Sequence, residues 1–130
     1  MEKILITGGS GFIGTNLIDY LIKKKYKSLI NIDIKKPKNL NQINYWKSCD
    51  ILNFNKLNKI FSDFSPTIVI HLAAKTDLNE NKDLNKYNVN IKGVENIVEC
   101  SKKLTSLGKI LIFSSKLVNK SGDVNKNLFN

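Results

Sequence analysis

Ile4-Leu5-Ile6-Thr7-Gly8-Gly9-Ser10-Gly11-Phe12-Ile13-Gly14 is the stretch on which the fold turns. The apolar run 4–6 stops at glycines, which reads as a short buried strand. Leu17, Ile18, Leu21 and Ile22 then continue a helical spacing begun at Phe12 and Ile13. The helix runs into Lys23, Lys24, Lys25 and Lys27, cations that complement the dipole at a helix C-terminus. The chain therefore opens with a strand, a glycine turn and a helix.

The same alternation continues outward. Residues 29–34 read as a second strand, broken by Pro37, Asn39 and Asn41. A weaker strand is expected over 43–49. Phe54, Leu57, Ile60, Phe61 and Phe64 recur at helical spacing, and Pro66 ends that helix. Residues 68–74 read as a fully buried strand, and 77–86 as a polar loop with a helical turn. A long amphipathic helix is expected over 89–107, with Gly108 as its C-cap. Residues 110–113 form a fifth strand, and the chain beyond Lys120 shows no pattern. Strands apolar on both faces, alternating with helices, predict an α/β fold. The expected architecture is a Rossmann-type doubly wound parallel sheet of five strands in the order 3-2-1-4-5.

The glycines carry the first chemical signal. Between a strand and a helix, Gly8 permits a tight turn, and Gly11 lets the backbone come close to a pyrophosphate. Gly14 lets the helix pack on the strand. The free N–H groups at the helix start then face phosphates. A dinucleotide site also needs an acid about 20 residues on, at the second strand's end, to hold the adenosine ribose. Asp33 stands there. Its carboxylate suits the free 2′-hydroxyl of NAD and repels the 2′-phosphate of NADP. Lys35 and Lys36 could meet such a phosphate, so NADP is the weaker expectation and NAD the stronger.

Composition excludes several classes. With 42% hydrophobic residues, 7 Gly and 2 Pro, the chain is neither disordered nor collagen-like. No apolar run approaches the roughly 18 residues that span a bilayer, so no membrane partner is expected. Twenty-one lysines against eleven acids give +10, yet arginine is absent. Base and phosphate recognition favours the planar guanidinium fork. The scattered Lys, Asn and Ile match AT-rich codons, so no nucleic-acid partner is expected. Cys49 and Cys100 are the only cysteines, and no secretion signal precedes them, which points to a reducing cytoplasm. His71 is the single histidine. It cannot build a metal site, and a structural hydrogen bond at a strand end is its expected role. Asp50 could cap the helix that begins near Asn53.

Taken together, the segment 7–14 resembles the signature of the extended short-chain dehydrogenase/reductases. It is most similar to the NAD-dependent epimerase/dehydratase family of nucleotide sugars. Four more segments carry the resemblance in the expected order: Cys49-Asp50-Ile51, His71-Leu72-Ala73-Ala74, Asn88-Val89-Asn90 with Gly93 and Asn96, and Phe113-Ser114-Ser115 through Val118.

The resemblance implies cofactor contacts from Gly8, Gly9, Ser10, Gly11, Phe12, Ile13 and Gly14, and from Asp33. It implies that Asp50 accepts from the adenine amine while Ile51 packs on the ring. Leu72, Ala73 and Ala74 would line the cofactor, Thr76 would reach its phosphates or the substrate, and Asn90 would hold the backbone near the site. Ser115 is the implied catalytic hydroxyl, bonded to the sugar oxygen that becomes a carbonyl. A nucleotide sugar is the implied substrate, and the resemblance leaves room for a homodimer of a longer parent.

The sequence also departs from that family. Asn119 and Lys120 stand where a Tyr-Gly pair is usual. Lys116 and Leu117 replace an acidic pair, which argues against the dehydratase branch and leaves epimerisation as the expected reaction. No Tyr-x-x-x-Lys pair follows Ser115; Tyr20 and Lys24 have the spacing but lie on the first helix. The expectation is that residues 1–130 are an incomplete Rossmann domain, truncated at the C-terminus, that binds NAD but turns nothing over. The alternative is a non-catalytic NAD-binding sensor or interaction module.

Overall fold

A computed structural model of the chain describes residues 1–76 and 88–114. The elements are β1 (Ile4–Thr7), α1 (Phe12–Lys23), β2 (Leu29–Asp33), a 3₁₀ turn (Leu40–Tyr45), β3 (Trp46–Ser48), α2 (Phe54–Phe64), β4 (Ile68–His71), α3 (Asn88–Lys102) and β5 (Lys109–Ile112). The five strands form one all-parallel sheet in the order β3-β2-β1-β4-β5, as the alternation predicts. β1 sits at the centre, with Ile4 opposite Leu29 on one side and Ile68 on the other.

Two apolar layers hold the sheet. On one face Leu5, Ile30, Ile32 and Val69 pack under α2 and α3 through Leu57, Phe61, Ile97 and Cys100. On the other face Ile4, Ile6 and Leu29 pack against Ile18 and Leu21 of α1. Helices therefore cover both faces. Burial of each such side chain contributes roughly 1.5–3 kcal/mol.

Four local expectations change. The stretch 43–49 is not one strand: its first half is the end of the 3₁₀ turn, and β3 is only three residues long. Asn39 caps that turn through the Asn41 amide, and the Gln42 amide, fully buried, ties the turn to α1 at the Thr15 carbonyl and Asp19 carboxylate. β4 ends at His71 rather than at 74, because β1, its partner, turns away at Gly8. Phe12 and Ile13 are exposed, since the packed face of α1 begins at Gly14. α3 stops at Lys102, and Gly108 is no C-cap: its N–H bonds the Thr67 carbonyl and leads the chain into β5. Leu104 and Leu107 do pack on the core, but from the connecting loop. The expected loop over 77–86 lies outside the described residues.

β5 is the least covered strand. Ile110, Leu111, Ile112 and Phe113 are 37%, 38%, 43% and 54% exposed, and among the described residues β5 pairs only with β4. An unpaired apolar edge templates pairing with other chains. The purified chain should therefore self-associate as its concentration rises in sedimentation velocity. Leu111→Lys, which places a charge on the edge, should reduce the association. A wild-type monomer at every concentration would contradict this.

Candidate functional site

Because all strands run parallel, their C-terminal ends share one edge of the sheet. The glycine turn after β1, Asp33 at the end of β2, Asp50 beyond β3 and residues 72–74 beyond β4 all lie along it. Open α/β sheets bind ligands at this edge, where neighbouring crossovers leave to opposite faces. Here that point falls beside β1: α1 leaves to one face, and the chain beyond β4 returns through α3 on the other.

The turn is clamped to β2. Three successive amides are tied down: Gly8 N–H to the Ile32 carbonyl at 2.9 Å, Gly9 N–H to Asn31 Oδ1 at 2.9 Å, and Ser10 N–H to Asp33 Oδ2 at 3.0 Å. Gly11 N–H folds back on the Gly8 carbonyl at 3.2 Å. Steric room is equally restricted. Gly8 has φ +72°, the left-handed region, and a Cβ there would stand 2.6 Å from the Ala73 backbone nitrogen. A Cβ on Gly14 would stand 2.4 Å from Gly9 Cα, so α1 packs on the turn itself.

The first free donors therefore begin one residue later. The first intrahelical bond is Thr15 N–H to Gly11 O at 2.9 Å, which leaves the amides of Phe12, Ile13 and Gly14 ahead of it. Among the described residues no side chain caps α1, and no acid lies in its first turn. Together with the dipole this makes an anion-attracting end. A Cβ on Gly11 would meet only the Gly8 carbonyl oxygen, at 3.3 Å, and otherwise open space.

Asp33 is half-buried, and both its carboxylate oxygens are engaged, Oδ2 by Ser10 N–H and Oδ1 by Lys35 N–H at 2.9 Å. Its carbonyl accepts from Trp46 Nε1. Asp50 is exposed and takes the Leu52 amide in a local turn, while Asn53, not Asp50, caps α2 at the Lys56 amide. Ile51 is 4% exposed; its side chain packs against Gly93, and its carbonyl accepts from Asn96. Ala73 and Leu72 are half-buried, and Ala74 and Thr76 are exposed. Asn90 embraces the Lys75 backbone, accepting from its N–H at 2.7 Å and donating to its carbonyl at 3.0 Å. Ser115 lies outside the described residues. The Cys49 and Cys100 thiols are buried, and burial pushes Cys100 up to about 11, so neither serves as a thiolate. Sequence reasoning does not single out Asn31, a fully buried polar residue between Ile30 and Ile32; its polar character amid apolar neighbours is the only local trace, and its partners meet it only across the sheet.

His71 makes the structural bond expected of it, with Nδ1 2.6 Å from Thr7 Oγ1. The ring is 2% exposed, and among the described residues Nε2 has no partner. Burial pushes its pKa down. The folded protein therefore binds this proton less readily than the unfolded chain does. Stability should fall as pH drops through about 6.5, the unfolded histidine value, and level off below the lower folded value. His71 is the single histidine, so urea unfolding between pH 7.5 and 5.5 isolates it. His71→Gln should flatten the profile, and a flat wild-type profile would contradict the burial argument.

Comparison with known proteins places the fold in a family. The family model described as NAD dependent epimerase/dehydratase family matches residues 4–126. A dTDP-D-glucose 4,6-dehydratase of Dictyostelium discoideum is 36% identical, over 98% of this chain and 32% of its own length. A GDP-6-deoxy-D-talose 4-dehydrogenase of Aggregatibacter actinomycetemcomitans is 32% identical over 74% of this chain and 29% of its own. The chain spans between 23% and 38% of the length of eight curated relatives that it matches. Among solved structures, L-threonine dehydrogenase of Clostridium difficile superposes with TM-score 0.75 at 29% identity, over 88% of this chain and 37% of that one. The Bordetella bronchiseptica enzyme WbmG, solved with NAD and UDP, superposes with TM-score 0.72 at 25% identity, over 88% and 38%. With a parallel 3-2-1-4-5 sheet, a clamped glycine turn and a family match over nearly its whole length, the chain belongs to the NAD-dependent epimerase/dehydratase family.

Proposed function

We propose that this chain is the NAD-binding part of an oxidoreductase acting on a nucleotide sugar in the cytoplasm. Hydride transfer at a sugar carbon, with epimerisation through a transient keto sugar, is the reaction. The observation that carries the reading is the uncapped start of α1, with three free amides beside a clamped turn. The names of the dehydratase and dehydrogenase relatives, and WbmG with its NAD and UDP, support the substrate class. Lys116 and Leu117 favour the epimerase branch over the dehydratase one.

NAD, when bound, supplies a reversible hydride acceptor. The chain's own residues bind and orient. Phe12, Ile13 and Gly14 offer amides to the diphosphate, and Gly11 leaves it room. Asp33 keeps lone pairs for the ribose hydroxyls, and its charge opposes a 2′-phosphate. Because two backbone amides hold the carboxylate, it cannot swing aside at low cost. Asp50 takes the adenine amine. Ile51 is largely committed to the core, so Leu52, which is 39% exposed, stands beside it as the more accessible apolar surface. Leu72, Ala73, Ala74 and Thr76 line the floor, and Asn90 fixes Lys75 next to them. Ser115 orients the sugar hydroxyl. The 130 residues carry no Tyr-x-x-x-Lys pair after it, so the proton acceptor of the family chemistry is not among them.

Calorimetry with both cofactors tests this. NAD should bind more tightly than NADP, and Asp33→Ala should narrow the gap by about 1–3 kcal/mol. Equal or reversed wild-type affinities would contradict the role given to Asp33. The same purified 130 residues should turn over no UDP-, GDP- or dTDP-sugar; measurable turnover would contradict the assignment of the missing base.

A further inference from the structure

Asn31 has no place in the reading above, yet it is the most constrained polar side chain near the site. It is fully buried in the middle of β2. Its orientation follows from donor and acceptor logic alone. Gly9 N–H can only donate, so the atom 2.9 Å from it must be the carbonyl oxygen Oδ1. Nδ2 must then face Ser10 Oγ, 3.2 Å away, and Ser10 must accept. A hydroxyl that accepts from an amide turns its own proton elsewhere. Among the described residues no acceptor takes that proton. Ser10 is half-buried, beside the residues that lead into the free end of α1. Any side chain at position 9 would collide with Asn31, its Cβ 2.3 Å from Oδ1, so Gly9 and Asn31 form a matched pair.

We infer that Asn31 is a positioning residue that fixes the Ser10 hydroxyl as an outward donor to the cofactor diphosphate. The inference rests on reading the turn as a diphosphate site. It assigns Ser10 a side-chain role, which its tethered amide cannot play, and it makes the polarity of position 31 a determinant of affinity for phosphates. Asn31→Asp isolates the point. The carboxylate still accepts from Gly9 N–H but has no donor for Ser10, so the Ser10 proton turns inward to it.

The test compares ADP with adenosine, which shares the base and ribose but lacks the diphosphate, by NMR titration of the 130-residue chain. Asn31→Asp should weaken ADP about tenfold or more, the loss expected for a hydrogen bond to a charged group, and leave adenosine unchanged. Ser10→Ala, which adds no charge and disturbs the core less, should show the same selective loss. A double variant no weaker than Asn31→Asp alone would support action through Ser10. Equal losses for ADP and adenosine would mean a merely structural role and overturn the proposal. Unchanged ADP affinity in Ser10→Ala would overturn it as well. A wild-type chain that takes up neither compound would overturn the cofactor reading itself, and this proposal with it.

Discussion

The clamp between the glycine turn and β2 is the constraint on which the rest of this structure depends. Gly8, Gly9 and Ser10 donate in succession to the Ile32 carbonyl, the Asn31 side chain and the Asp33 side chain. Buried amides need partners, and here the neighbouring strand provides all three. With those amides occupied, the chain can enter α1 only after Gly11, and the helix starts with its own amides unused. The same clamp brings the acid of β2 against the turn. One set of hydrogen bonds thus fixes the turn ahead of the uncapped helix start and holds the Asp33 carboxylate beside it.

Packing around the clamp leaves little freedom. Gly8 lies against the backbone at Ala73 and Gly14 against Gly9, so β1, β4 and α1 all meet at the turn. Gly11 alone of these glycines borders open space. The distinction separates two kinds of glycine in one motif: those required by the protein's own contacts, and one whose missing side chain makes room outside the protein. Away from this edge, two apolar layers on the sheet supply the stability. β5, exposed throughout, is the margin of that support.

Much of this was legible in the residues. Glycines spaced 8, 11 and 14 between an apolar run and a helical one dictate a strand, a turn and a helix, and the alternation after them dictates a parallel sheet. Asp33 could be placed because a strand's length fixes where it ends. Other features were hidden by competing causes. Leu104 and Leu107 keep apolar spacing because they pack, half-buried, on the core, but a loop can bring them there as well as a helix can. Residues 43–49 hide a boundary, since a buried Gln42 bound to Asp19 holds a 3₁₀ turn that local propensity does not encode. Asn31 was invisible as a site residue because its partners, Gly9 and Ser10, are remote in sequence and meet it only across the sheet.

The measurement that bears most directly on the central claim is amide-resolved NMR of residues 8–14 during titration with ADP. The account predicts that the Phe12, Ile13 and Gly14 amides shift on binding. It also predicts that the Gly8, Gly9 and Ser10 amides are protected from solvent exchange before ligand is added and remain so after. Rapid exchange at Gly8, Gly9 and Ser10, or ligand-induced shifts that bypass Phe12, Ile13 and Gly14, would contradict it.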